Sequence, residues 1–311
     1  MAAATTLARP SKGRAVLQRG ETLAGLAFIS PWFIGFLIFT AGPMVVSLAL
    51  SLTEYNIISP PRFIGLANYQ EMLVDPRLGL SLGNSFFYAL LHVPLTIITA
   101  LALAMLLLRV GRAAGFFRTA FYLPSITPSV AVGTLFLWLL NPRVGLVNRG
   151  LEVLGIAGPG WTTDPNWIKP GIVLMSLWSL GSTVIILLAA LRNVPNELYE
   201  ASNIDGANGW QQFIRITVPL ISPTIFFVLI VNTISSLQIF TEVYTMYFGK
   251  QQSGPASSAG LFYNIYLFRQ AFEFLRMGYA SAMAWLLFVI ILILTAIQLR
   301  VGNRWVYYDG T

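Results

Sequence analysis

Six stretches of this chain run for about 20 residues or more without an internal charge: 23–52, 84–108, 119–140, 170–191, 220–241 and 280–300. Asp, Glu, Lys and Arg are absent from all six except at their ends. About 20 apolar residues are needed to cross a hydrocarbon core roughly 30 Å thick. In that medium each backbone polar group must be satisfied within its own segment, which favours helices. The pattern therefore predicts an all-α, polytopic membrane protein with six transmembrane helices. Composition agrees: only 10% of the residues are charged and 56% are hydrophobic, against about 25% charged in a soluble domain. The first segment is long enough to tilt, to kink at Pro31 or Pro43, or to project beyond the bilayer. Arg9, Lys12, Arg14 and Arg19 precede it. A signal peptide has an apolar region of only about 7–15 residues, so this segment reads as an uncleaved first span.

The net charge of +7 is spread over the flanks of the apolar segments. Basic residues placed there set topology and give no sign of nucleic-acid binding. One face collects the N-terminal four together with Arg109, Arg112, Arg118, Arg192, Arg215, Arg300 and Arg304. The other holds fewer, in longer connections: 53–83, 141–169 and 242–279. The richer face is expected to be cytoplasmic. The division is then a cytoplasmic tail over 1–22, a six-span domain over 23–300 with a cytoplasmic loop at 192–219, and a tail over 301–311. The outer connections carry turn formers, among them Ser59-Pro60-Pro61 and Ser253-Gly254-Pro255. Trp161, Trp167, Tyr244 and Tyr247 fit interfacial aromatic belts. The chain has no cysteine and a single histidine, His92. Enzyme chemistry built on clustered His, Asp or Glu is excluded by that scarcity.

The 192–219 loop is the one long polar interruption that carries helical pattern. Pro195 suits a first helical turn, where its missing N–H costs nothing. Leu198, Ala201, Ser202 and Asp205 fall at i, i+3, i+4 and i+7, on one helix face with mostly small side chains. Gly206 permits a sharp turn. Asn208 and Gln211 have the spacing of a capping box that opens a second helix, with Phe213, Ile214 and Ile216 as its apolar contacts. Pro219 and Pro223 set the entry to the fifth span. An amphipathic interfacial loop without a partner is the alternative on physical grounds.

Glu200-Ala201-Ser202, then Gly206, Ile216 and Val218-Pro219, resembles the EAA motif of permease subunits in ATP-binding-cassette importers. Ser202 stands where that pattern has Ala, and Val218 where it has Leu. Phe63-Ile64-Gly65-Leu66-Ala67-Asn68-Tyr69, Phe117 to Pro124, and Met277 to Ala282 are similar to the larger permease subunits of maltose and glycerol-phosphate importers. The resemblance implies a six-span half of a translocation pathway in a bacterial or archaeal cytoplasmic membrane. It implies coupling to a cytoplasmic ATPase through Glu200, Ala201, Ser202, Asp205, Gly206, Ile216 and Pro219. The implied partners are a second permease subunit in a heterodimer, two ATPase subunits that use ATP and Mg, and an extracytoplasmic solute-binding protein. No cofactor is expected on this chain, and membrane lipid surrounds it.

Lys12, Lys169 and Lys250 are its only lysines, and none ends a phosphate-binding Gly-rich loop. ATP hydrolysis must then occur on another chain. No carboxylate is expected inside the membrane, which disfavours the alternative of an ion-coupled transporter or channel. His92 reads as structural, donating to a carbonyl of a neighbouring helix. The fifth span is the most polar. Asn232, Ser235 and Ser236 share one face with Ile239, and Gln238 lies at its edge. These four polar side chains either line a pathway for an uncharged, carbohydrate-type solute or bond to neighbouring spans, the latter worth about 0.6 kcal/mol each.

Overall fold

The computed structural model describes residues 12–247 and 258–307. Arg9, Lys250 and Ser253-Gly254-Pro255 lie outside the described residues. Helices dominate; among the described residues the strands are Thr53–Glu54 and Arg62–Phe63, an antiparallel pair with Thr53 opposite Phe63.

The helices are α1 (Lys12–Phe36), α2 (Gly42–Ser51), α3 (Ala67–Val74), α4 (Pro76–Arg109), α5 (Ala114–Tyr122), α6 (Ser129–Leu139), α7 (Leu146–Val153), α8 (Pro165–Leu177) and α9 (Gly181–Arg192). There follow α10 (Asn196–Ile204), α11 (Gly209–Gln212), α12 (Val218–Leu237), α13 (Thr241–Tyr247), α14 (Tyr263–Phe268) and α15 (Met277–Gly302). A π-helical turn at Leu37–Ala41 joins α1 to α2 just ahead of Pro43, whose ring cannot accept the ordinary i−4 carbonyl contact. The expected kink at Pro43 thus takes the form of a bulge. The most apolar 18 residues of this first span bury no side chain, and its last turns, in α2, pack against α15.

Among the described residues four helical stretches are long and apolar enough to cross a membrane, and six if each of two bent pairs is one span. Two of the six apolar runs are bent. In 119–140, α5 and α6 meet at 98°. Pro128 has no N–H to continue a helix, and it pushes Thr127 out of the helical region to ψ 132°. In 170–191, α8 and α9 meet at 54°. There the end of α5 presses on Gly181, where any Cβ would run into the backbone of Phe121 and Tyr122.

The second span starts earlier than expected. Asp75 caps α4 by accepting from the N–H groups of Arg77 and Leu78, with Pro76 in the first turn. At about 1.5 Å per residue α4 reaches about 50 Å, well past a hydrocarbon core of about 30 Å. Two apolar cores are stacked along it. One gathers around Leu78 and Tyr88 with Phe136, Leu140, Ile172, Tyr247, Phe262 and Met283. The other gathers around Ala100, Ala104 and Leu107 with Val184, Leu187, Ile221 and Val228. Tyr247 belongs to the first core and Trp161 packs against it. Tyr247 is fully buried and donates to the Trp161 carbonyl at 3.2 Å, while the Trp161 indole donates to Asn148 at 2.7 Å.

Candidate functional site

Between the two cores, at the middle of α4, lies a cavity of about 410 Å³. About half of its wall is polar, from Tyr88, His92 and Thr96 of α4, Ser129 of α6, Ser176, Ser179 and Thr183 at the α8–α9 bend, and the end of α12; Val132, Met175, Leu180 and Ile239 supply apolar parts. Asn232, Ser235, Ser236 and Gln238 all line it. Gln238 joins them because α12 stops at Leu237, which frees the next residues from helical register. The chain resumes as α13 after Phe240, and this break carries Gln238 to Glu242 along the cavity wall.

A hydrogen-bonded relay stiffens one side. The His92 Nδ1 and Ser236 Oγ are 2.9 Å apart, and the Thr96 Oγ1 and His92 Nε2 are 3.0 Å apart. The His92 ring stacks on Tyr88 with centroids 5.0 Å apart. Ser176 donates to the Ile172 carbonyl, so the Tyr88 hydroxyl, 2.7 Å away, donates to Ser176. The relay ties α4 to α8 and α12. His92 therefore pairs with hydroxyls and not, as expected, with a neighbouring carbonyl. Ser236 is buried behind it, whereas Ser235 and Gln238 are exposed to the cavity. Asn232 spends one amide proton on the Val228 carbonyl at 2.9 Å.

Glu242 is the residue that the sequence reading misplaced. By sequence it falls in the outer connection 242–279, because it follows the apolar run. It is half-buried in the first turn of α13 and lines the same cavity, so the expectation of a path without a carboxylate is corrected.

The polar loop is a second candidate site. Pro195 sits at the N-cap of α10, one residue ahead of the helix. Gly206 adopts φ +75°, a conformation that costs a side-chain-bearing residue and lets α10 turn back. The capping box has both halves: Gln211 N–H donates to Asn208 Oδ1 at 2.9 Å, and Asn208 N–H to Gln211 Oε1 at 2.8 Å. The Gln212 amide donates to Ser202 Oγ at 3.0 Å and Asn203 Oδ1 at 2.6 Å, which closes the loop on itself. The second helix, α11, flows into α12 through a π-helical turn at Phe213–Thr217. Within it Thr217 Oγ1 donates to the Gln212 carbonyl at 3.4 Å and lies 2.8 Å from the Tyr199 hydroxyl.

Ile216 and Pro219 lie toward the body, and Ile216 and Phe213 pack on the second core, the one around Ala104. Glu200, Ala201, Asp205 and Gly206 are exposed. Ile214 is exposed as well, contrary to its expected role as an apolar contact. Ile204, 88% exposed, and Trp210, 69% exposed, add an apolar element that the helical-face reading passed over.

With this geometry in view, comparison with known proteins defines the class. Residues 77–307 match the family described as binding-protein-dependent transport system inner membrane component. The chain belongs to that family and is a multi-pass permease component. It is 41% identical over 295 residues to the probable ABC transporter permease protein YesP of Bacillus subtilis (strain 168), covering 94% of each chain. It is 34% identical to the lactose transport system permease protein LacF of Rhizobium radiobacter, covering 92% of this chain and 96% of that one. The fold matches that of a crystallised bacterial ABC transporter involved in import of the acidic polysaccharide alginate. The TM-score is 0.80 at 24% identity, over 94% of this chain and 99% of that one.

Proposed function

We propose that this chain is the membrane-spanning subunit of an ATP-driven, binding-protein-dependent importer. Its solute is of carbohydrate type: an oligosaccharide, a polyol or a glycerol-phosphate compound. The observation that carries the reading is the hydroxyl- and amide-lined cavity between two apolar cores at the middle of the longest helix. Such a wall replaces the hydration of a polyhydroxylated solute group by group. Similarity to a lactose permease supports the same solute class.

The loop 192–219 docks on a cytoplasmic ATPase through its exposed face: Glu200, Ala201, Asp205 and Gly206, with Ile204 and Trp210 beside them. Ser202, Ile216 and Pro219 act from behind by holding the two short helices in register. The ATPase chains bind ATP and Mg. A second permease subunit completes the pathway as a heterodimer, and a solute-binding protein delivers cargo from outside. Both termini and the loop face the cytoplasm.

A second reading, an ion-coupled transporter, draws on His92 and Glu242 in the cavity. Reconstitution with the ATPase subunits separates the two. Uptake is expected to require ATP on the loop side and binding protein on the other. Uptake driven by a proton gradient without ATP would overturn the importer reading.

A further inference from the structure

The cavity wall carries one formal charge. Among the described residues none that lines it is Lys or Arg, and Glu242 is the single carboxylate. Among the described residues Glu242 has no ion-pair partner; the three ion pairs are Arg62–Glu54, Arg269–Glu273 and Arg276–Glu71. Its backbone is firmly placed. α6 crosses α13 at Gly133, where an added Cβ would lie 2.9 Å from the Glu242 carbonyl. Val243 and Met246, which follow it, are fully buried in the first core, the one around Tyr88. A carboxylate on a held backbone, without an ion-pair partner and facing the cavity, is available to accept hydrogen bonds from whatever enters it.

A carboxylate accepts hydrogen bonds and donates none when ionised. Vicinal sugar hydroxyls are donors that match its two oxygens, and such charge-assisted bonds are about twice as strong as neutral ones. An anionic solute meets the opposite situation. It loses its own hydration, finds no cation on this wall and feels the like charge of Glu242.

We propose that Glu242 is a specificity-determining residue that binds the hydroxyls of neutral solutes and excludes uronate- or phosphate-bearing ones. This rests on the importer reading and narrows it: of the solute classes named above, the glycerol-phosphate compounds are rejected. Like charges about 6 Å apart at the effective dielectric of a protein pocket give discrimination on the order of ten- to a hundredfold.

The test uses the complete importer in proteoliposomes, with ATP inside and binding protein outside. It is offered a mixed pool of neutral and uronate-bearing di- to tetrasaccharides, and the vesicle contents are read by mass spectrometry. Neutral species are expected to accumulate, with uronates at least about tenfold lower. Glu242→Gln, which keeps the shape and loses the charge, should raise the uronate-to-neutral ratio about tenfold, whereas Glu242→Asp should keep the wild-type ratio. Glu242→Ser carries the same comparison if the Gln variant does not assemble. Uronates entering the wild type as fast as neutral sugars, or a ratio unmoved in the uncharged variant, would overturn the proposal while leaving the importer reading intact. If no saccharide enters at all, the carbohydrate reading fails and this inference falls with it.

Discussion

Asp75 links three helices through one carboxylate, and removing it tests the energetic reasoning directly. Its Oδ1 accepts from the N–H groups of Arg77 and Leu78 at 2.9 and 3.3 Å. Its Oδ2 accepts from the hydroxyls of Tyr266 in α14 and Tyr279 in α15, both at 2.7 Å. Hydrogen bonds to a charged group contribute about 1.5–3 kcal/mol each, and an N-cap about 1 kcal/mol. The simple sum for Asp75→Ala is about 4–7 kcal/mol, but Asp75 is half-exposed and water replaces part of what is lost, so about 3–4 kcal/mol is expected. Tyr266→Phe alone should cost about 1–2 kcal/mol, and close to nothing when Asp75 is already Ala.

Burial raises the Asp75 pKa, but the hydrogen bonds from Tyr266, Tyr279 and the two amides outweigh it and hold the carboxyl below its ordinary 3.8. A depressed folded value means that the stabilisation is complete above 3.8 and fades as pH falls through the lower, folded value. Detergent-solubilised protein can be followed by thermal unfolding and proteolysis across the double-mutant cycle. Additive costs for Asp75→Ala and Tyr266→Phe would refute the shared-acceptor account. So would a gap between wild type and Asp75→Ala that is as wide in strong acid as at neutral pH.

In the cavity, Asn232→Leu and Ser236→Leu should each lower uptake at least a few-fold to tenfold, the worth of one neutral hydrogen bond, with subunit co-purification unchanged. Lost assembly would instead assign these residues to helix packing, and normal uptake would remove them from the pathway. In the loop, Gly206→Pro cannot hold φ +75° because proline is fixed near −65°. It and Glu200→Lys are expected to abolish uptake and ATPase stimulation while membrane insertion persists, which immunoblots of membrane fractions and ATPase assays check. On the cysteine-free background, single cysteines at 65 and 155 should react with an impermeant reagent from outside and one at 205 should not. Labelling of 205 in intact cells would reverse the orientation.

The parts legible in the sequence are those that local chemistry decides. Asn208 and Gln211 can satisfy each other's helix-end groups without any distant residue. Gly206 announces a left-handed turn because other residues avoid one. Six apolar runs imply six crossings for the same reason, since hydrocarbon offers no alternative partner to the backbone. What escaped depends on how segments meet. The Thr127-Pro128 pair was visible, yet hydropathy averages across a break as readily as along a helix, so a 98° bend was hidden inside one apolar run. Glu242 follows an apolar run and so looked external; only the ending of α12 at Leu237 and the packing of α13 on Gly133 bring it back to the cavity. His92 acquired hydroxyl partners from residues 4 and 144 positions away, and sequence spacing can suggest only the nearer.

The π-helical turn at Phe213–Thr217 has a geometric effect on everything after it. It contains one residue more than an α-helical turn, and one residue corresponds to about 100° of rotation around a helix axis. α11 and α12 are one continuous rod across this turn, so the extra residue works as an angular shim. It fixes the azimuth at which Asn232 and Ser236 leave the rod relative to the face that carries Glu200. Deleting one residue there would leave composition and hydropathy almost unchanged. It would nonetheless swing the polar stripe about a quarter turn away from His92. In this molecule the aim of the cavity wall and the aim of the loop are set by a single count of residues.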